Sequence, residues 1–154
     1  MENLIMDNTA ANLNSLNITR LYPASKEKLF EMWTNPALII SWFAPGDLSI
    51  IAVEANLRID GQFRIIMQEP DGNQYIAHGI YKNIVKPDQL AFTWIWSDTD
   101  YDSNSSDTLV SIDFKNKIDK TELTLLYSQL GSSDSQDTLD QGWAEYLENL
   151  NSVL

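Results

Sequence analysis

His78 is the side chain of this sequence best suited to acid–base chemistry, because an imidazole titrates near neutral pH. It is the single histidine of the chain, and there is no cysteine, so neither residue type offers a second ligand for a metal ion. Ile76 and Ile80 flank it in a strand-like segment. An isolated strand histidine is more often structural, and we favour that role, with ligand binding or acid–base chemistry as the alternative.

The acidic segment 98–107, DTDYDSNSSD, superficially resembles a calcium-binding loop. Such a loop needs glycine at its sixth position and glutamate at its twelfth, whereas this chain has Ser103 and Leu109 there. The better interpretation is a solvated hairpin loop. Nucleophile-elbow, phosphate-loop and dinucleotide motifs are also missing from the sequence. We therefore predict no catalytic residues, no metal site and no cofactor.

Large aromatic side chains are the remaining candidates for function, and the chain has five tryptophans. Small-molecule sites are mostly apolar with a few polar groups, so these rings could form a pocket wall. The alternative is an ordinary packed core. An empty cavity of roughly 300 Å³ would cost about 7 kcal/mol, which is comparable with the whole stability of a domain. We therefore expect the rings to fill part of any such space.

The elements that position these rings follow from hydrophobic periodicity. Alternation over 16–22 predicts a first strand. Ser25 and the pair Asn35-Pro36 are typical starts of two short helices, the second of them running through PALIISWF. Alternating segments up to about Ser128 then predict consecutive antiparallel strands, including QLAFTWIW as one strand. A long helix is predicted from about 134 to 153.

The last helix is the only predicted element long enough to cover a sheet with one apolar face. The expected fold class is therefore α+β. A curved antiparallel sheet of about six to seven strands wraps around the C-terminal helix, and the two short helices close one end. Residues 1–13 are polar and aperiodic and predict a flexible leader, whereas 14–154 predicts a single domain.

The formal charge of −12 and the sequence pI of 4.2 argue against nucleic-acid and membrane-surface partners, since both carry negative charge. No apolar run is long enough to span a membrane, and the N-terminus lacks the basic and apolar parts of a secretory signal. The sequence therefore predicts a cytoplasmic protein. Its oligomeric state is left open.

Four ordered segments resemble a known family: residues 18–45 (ITRLYPASKEKLFEMWTNPALIISWFAP), RIDGQF, LAFTW and a Gly-Trp pair at 142–143. Together they are similar to bacterial members of the activator of Hsp90 ATPase homologue family, in the START-like helix-grip (Bet v 1-like) superfamily. The resemblance covers about 14–154. Asp60-Gly61 stands where the family often has two glycines. The resemblance implies the helix-grip fold.

The resemblance also implies non-enzymatic binding of a small hydrophobic or aromatic ligand, in a cavity between the sheet and the C-terminal helix. His78 is the candidate polar group, and Arg64 is a second one that strand alternation turns towards solvent. Two alternatives are a chaperone accessory that stimulates an Hsp90-type ATPase and a polyketide cyclase- or aromatase-like enzyme. The expected walls of the cavity are Phe63, Ile65, Met67, Phe92, Trp94, Trp96, Trp143 and Tyr146.

Overall fold

The computed structural model of the protein describes residues 14–44, 46–97, 108–129 and 136–154. The expected leader, the acidic loop at 98–107 and the predicted start of the last helix near 134 lie outside these ranges. The elements, in chain order, are β1 Asn14–Tyr22, α1 Lys26–Thr34, α2 Pro36–Ile39, β2 Ser49–Ala55, β3 Gln62–Gln68, β4 Gln74–Val85, β5 Gln89–Thr93, β6 Ile95–Ser97, β7 Thr108–Lys117, β8 Lys120–Gln129 and α3 Gln136–Ser152.

All strand pairs are antiparallel, and the strands follow the order β1-β8-β7-β5-β4-β3-β2, with β6 pairing with β4. One face of the sheet, called the inner face here, packs against the helices. Ile18, Leu125 and Ile112 lie side by side in register on β1, β8 and β7, and all three are buried on this face. The predicted α+β architecture of a one-sided sheet with a long terminal helix is confirmed.

The predicted single strand 89–96 is divided at Trp94 into the short strands β5 and β6. Side-chain hydroxyls replace ladder hydrogen bonds at the break. Ile80 N–H donates to Thr93 Oγ1 at 2.9 Å, and Trp94 N–H donates to Thr108 Oγ1 at 3.2 Å. The break therefore depends on contacts between strands, which the alternation within one segment does not reveal.

The two short helices begin where their capping residues predict. Ser25 Oγ accepts a hydrogen bond from Lys28 N–H at 3.0 Å, and Asn35 Oδ1 accepts one from Ala37 N–H at 3.0 Å. However, α2 ends at Ile39, before the predicted end of the PALIISWF segment. Beyond it, Ser41 N–H donates to Leu38 O three residues back, so the chain continues in tighter turns.

Asp60 and Gly61 form a tight corner before β3. Asp60 has a φ of 66°, in the left-handed region that glycine adopts at little cost. A Cβ at Gly61 would lie 2.0 Å from the carbonyl oxygen of Asn56, so the second position has no room for a side chain. The corner thus keeps its geometry with one aspartate and one glycine in place of a glycine pair.

The C-terminal helix α3 packs on the inner face through Leu147 and Leu150, which are 1% and 0% exposed. The hydroxyl of Tyr22 on β1 donates to the carbonyl oxygen of Leu147 at 2.9 Å. Asn149 Nδ2 donates to the carbonyl oxygen of Ala44 at 3.1 Å. The helix is therefore fixed both to the first strand and to the segment that follows α2.

Candidate functional site

An apolar cleft lies between the two short helices and the inner face of the sheet, and we call it the aromatic crevice. Val53 and Ala55 belong to the edge strand β2 and are half-buried, whereas the other lining side chains are buried. The crevice therefore meets solvent at the β2 edge of the sheet. Its lining residues are Trp33, Ile39, Trp42, Phe43, Val53, Ala55, Phe63, Ile65, Tyr81, Phe92 and Trp94.

The aromatic crevice is nearly filled by its own side chains. The free volume of the crevice is about 20 Å³. One water molecule needs about 10–15 Å³ on that measure, whereas ligand pockets are typically about 300–1,000 Å³. The crevice as it stands has room for roughly one water molecule. This volume is consistent with the expectation that the rings fill part of any such space.

The rings of the crevice pack edge to face. The ring centroids of Trp33 and Trp42 are 4.8 Å apart at 70°, and those of Phe63 and Phe92 are 5.3 Å apart at 82°. Phe43 contacts Trp94 at 5.7 Å and 67°. Such aromatic pairs each stabilise a fold by about 0.5–1.5 kcal/mol beyond the area they bury. The closed crevice is therefore a stable, packed arrangement.

The C-terminal helix lies behind this ring cluster, and none of its described side chains lines the crevice. Tyr146 stacks on Phe43 with centroids 4.4 Å apart at 16°, and Trp143 contacts Trp94 at 5.1 Å. We expected the cavity between the sheet and this helix, but the crevice lies under the short helices instead. The physical reason is that Phe43 and Trp94 already occupy the space next to α3.

Four of the expected wall residues, Phe63, Ile65, Phe92 and Trp94, line the aromatic crevice. Met67 is fully buried, but it is not part of the lining. The backbone of Trp96 pairs with Ala77, and its side chain lies outside the described part of the structure. Trp143 and Tyr146 are not among the lining residues, but they contact the lining rings of Trp94 and Phe43.

His78 lies on the outer face of the sheet, away from the aromatic crevice. Its neighbour Ala77 is wholly buried in the core, and side chains alternate along a strand, so His78 points the other way. In register it pairs with Arg64 on β3 and with Ile95 on β6. Arg64 Nη1 is 3.9 Å from Glu54 Oε1. Neither candidate polar group is therefore brought to the crevice.

Several lining residues were missing from the expected wall, although the sequence contained a signal for some of them. Trp33, Trp42 and Phe43 cluster within the segment that carries the family resemblance. Ile39, Val53, Ala55 and Tyr81 come from α2, β2 and β4, so no local spacing marks them as a group and they meet only in the folded chain. Tertiary contacts, and not local pattern, select them.

The described lining of the crevice contains no side chain that is charged at neutral pH. Burial raises the pKa of Tyr81 to about 12, so its hydroxyl stays neutral. The indole N–H of Trp42 donates to the carbonyl oxygen of Met32 at 2.9 Å. Within the described ranges, no three carboxylate or imidazole side chains gather to hold a metal ion. The site suits a neutral apolar molecule.

Comparison with solved structures supports the fold assignment. Protein CV1439 from Chromobacterium violaceum is 16% identical, with 91% of this chain and 96% of that chain covered and a TM-score of 0.79. The AHSA1 protein from Silicibacter pomeroyi is 23% identical, with 90% and 95% covered and a TM-score of 0.76. A protein from Arthrobacter aurescens is 19% identical, with 96% and 88% covered and a TM-score of 0.80. At these identities the likeness shows the helix-grip fold alone.

Sequence comparisons give the family. No curated protein matches the chain. In the part of the chain that the structure describes, no helix is long and apolar enough to cross a membrane. The profile of the family described as activator of Hsp90 ATPase homolog 1-like protein matches residues 23–154, most of the chain, which therefore belongs to that family.

Proposed function

We propose that this protein binds a small, neutral, apolar or aromatic molecule in the aromatic crevice, without transforming it. The observation that carries the proposal is the crevice itself: eleven lining side chains, none of them charged at neutral pH, that meet solvent at one edge of the sheet. Apolar lining with a few neutral polar groups is typical of small-molecule sites. Membership of a helix-grip family is consistent with this role.

Binding requires the crevice to widen, because its free space now matches one water molecule. The element best placed to move is α2, a helix of four residues that covers the crevice through Ile39. Its displacement breaks no strand pairing, since α2 lies outside the sheet. The free energy of this opening lowers the apparent affinity, so a variant with a looser cover should bind more tightly.

Ile39→Ala is expected to tighten binding of 2-isopropenylnaphthalene, although it destabilises the fold by about 2–5 kcal/mol. The substitution removes a buried side chain from the cover of the crevice and so reduces the packing that a ligand must displace. Isothermal titration calorimetry measures the affinity, and urea unfolding measures the stability. Native mass spectrometry of freshly purified protein complements both by detecting a molecule that is already bound.

Tyr22→Phe is the matched control. It removes the buried hydrogen bond to Leu147 O, for a cost of about 1–3 kcal/mol, and leaves the crevice untouched. The control should bind the probe as wild type does. If neither wild type nor Ile39→Ala binds the probe, the proposal fails. If Tyr22→Phe gains affinity as Ile39→Ala does, general loosening explains the gain and the crevice is not the site.

The family description supports a second candidate, stimulation of an Hsp90-type ATPase by protein contact. Adding the protein to the chaperone of the same organism should then raise the rate of ATP hydrolysis in a saturable way. A flat titration would remove this candidate. The cyclase-like alternative has less support. The described lining has no carboxylate or imidazole, and His78 lies on the outer face. The lining hydroxyl of Tyr81 is a weak acid, because burial raises its pKa to about 12.

A further inference from the structure

The indole N–H of Trp33 is a buried donor without a hydrogen-bond partner. Trp33 is 5% exposed and lines the aromatic crevice from α1. Among the buried side-chain nitrogen and oxygen atoms that the structure describes, its Nε1 is the one without a partner. Buried polar groups are almost always paired, so an exception at the wall of a crevice needs an explanation.

No described atom accepts a hydrogen bond from Trp33 Nε1. Its ring neighbours are Trp42 at 4.8 Å and Phe43 at 6.1 Å, both edge to face. An aromatic face accepts a hydrogen bond far more weakly than an oxygen does. By contrast, the N–H of Trp42 is satisfied by the carbonyl oxygen of Met32. The indole N–H of Trp42 therefore has a hydrogen-bond partner, and the indole N–H of Trp33 has none.

We infer that the ligand of the crevice carries a neutral oxygen atom that accepts a hydrogen bond from the N–H of Trp33. This inference rests on the proposed function. An indole nitrogen donates and does not accept, so the ligand must supply the lone pair. None of the described lining side chains is charged, which favours a ketone, aldehyde, ester or ether oxygen over a carboxylate. The ligand class is thus an aromatic or alicyclic molecule with one such oxygen.

A water molecule is the competing acceptor, because the free space of about 20 Å³ has room for one. A buried water needs about two to four polar partners, and the lining is almost entirely apolar. Such a water is weakly held. A ligand oxygen that replaces it keeps the bond to Trp33 and releases the water, which favours binding.

The test compares two probes of the same shape, 2-acetylnaphthalene and 2-isopropenylnaphthalene, which differ in a carbonyl oxygen against a methylene group. Wild type is expected to bind the ketone about tenfold more tightly than the alkene. Replacing Trp33 with 3-benzothienylalanine keeps the shape of the ring but substitutes sulfur for the N–H. In that variant the preference for the ketone should disappear.

The same replacement at Trp42 is the matched control, and there the preference for the ketone should persist. The unliganded proteins give a second readout by thermal unfolding. Loss of the unpaired donor at Trp33 should raise the Tm or leave it unchanged, whereas loss of the Trp42 bond to Met32 O should lower it.

Each contrary outcome has a distinct meaning. Equal affinity of wild type for both probes would overturn this inference and leave apolar binding intact. A preference that survives removal of the Trp33 N–H would overturn the assignment to Trp33. Failure of both probes to bind would overturn the inference together with the proposed function on which it rests.

Discussion

Gly79→Ala is expected to destabilise the protein by about 3 kcal/mol or more and to prevent folding at physiological temperature. An ideal Cβ on Gly79 would lie 1.9 Å from the carbonyl oxygen of Thr93 and 2.7 Å from its carbonyl carbon. It would also lie 3.0 Å from Cε2 of Phe63 in the aromatic crevice. Backbone atoms cannot move aside as a side chain can, so β4 and the β5–β6 break would have to separate.

Urea unfolding followed by far-UV circular dichroism measures this effect. Gly72→Ala is the control, because Gly72 has a φ of 101° but no atom within 4 Å of an added Cβ. That substitution carries backbone strain alone and should cost about 1 kcal/mol. If Gly79→Ala were as stable as Gly72→Ala, the close approach of the two strands at Thr93 would be wrong.

Stability is expected to fall steeply above pH 10 because of three buried tyrosines, Tyr22, Tyr81 and Tyr146. Burial raises the pKa of Tyr81 to about 12, and it raises the pKa values of Tyr22 and Tyr146 further. In the unfolded chain each tyrosine ionises near pH 10. Above that pH the unfolded state therefore holds fewer protons than the folded state, and the free energy of unfolding decreases as pH rises.

Each buried tyrosine contributes a slope of up to about 1.4 kcal/mol per pH unit, so the three together approach about 4 kcal/mol per unit. Below about pH 9 the tyrosines are protonated in both states and contribute no pH dependence. The measurement is the free energy of unfolding in urea at steps between pH 8.5 and about 11.5.

Tyr81→Phe should reduce the alkaline slope by up to about 1.4 kcal/mol per pH unit, because it removes one linked proton. Absorbance at 295 nm adds an independent readout. At least three of the six tyrosines in the chain, Tyr22, Tyr81 and Tyr146, should ionise only as the protein unfolds. A slope that stays flat between pH 10 and about 11 would contradict the burial of these hydroxyls.

Much of the fold follows from local signals. The caps at Ser25 and Asn35, the alternation along the strands and the apolar face of the last helix predict the helices and the sheet that the structure shows. These signals suffice because they depend on neighbours within a few residues. The division of the strand at Trp94 does not follow from local signals, since it depends on Gly79 and Thr108 in other strands.

The candidate site was predictable only in part. Strand alternation places Phe63, Ile65 and Phe92 on the inner face, and the structure has them lining the crevice. The same alternation, applied to Ala77, would have placed His78 on the outer face with Arg64. The contribution of α1 and α2 to the crevice lining could not be derived. The cover depends on α2, and a helix of four residues is too short for its periodicity to define which surface it covers.

We propose that apolar ligands bind under the short helices and not under the C-terminal helix. The most direct test is a measurement of intermolecular nuclear Overhauser effects between protein methyl groups and 2-isopropenylnaphthalene at saturation. We predict contacts to the methyl groups of Ile39, Val53 and Ile65, which line the aromatic crevice. Contacts confined to Leu147 and Leu150 of α3, or none at all at saturation, would contradict binding in the aromatic crevice.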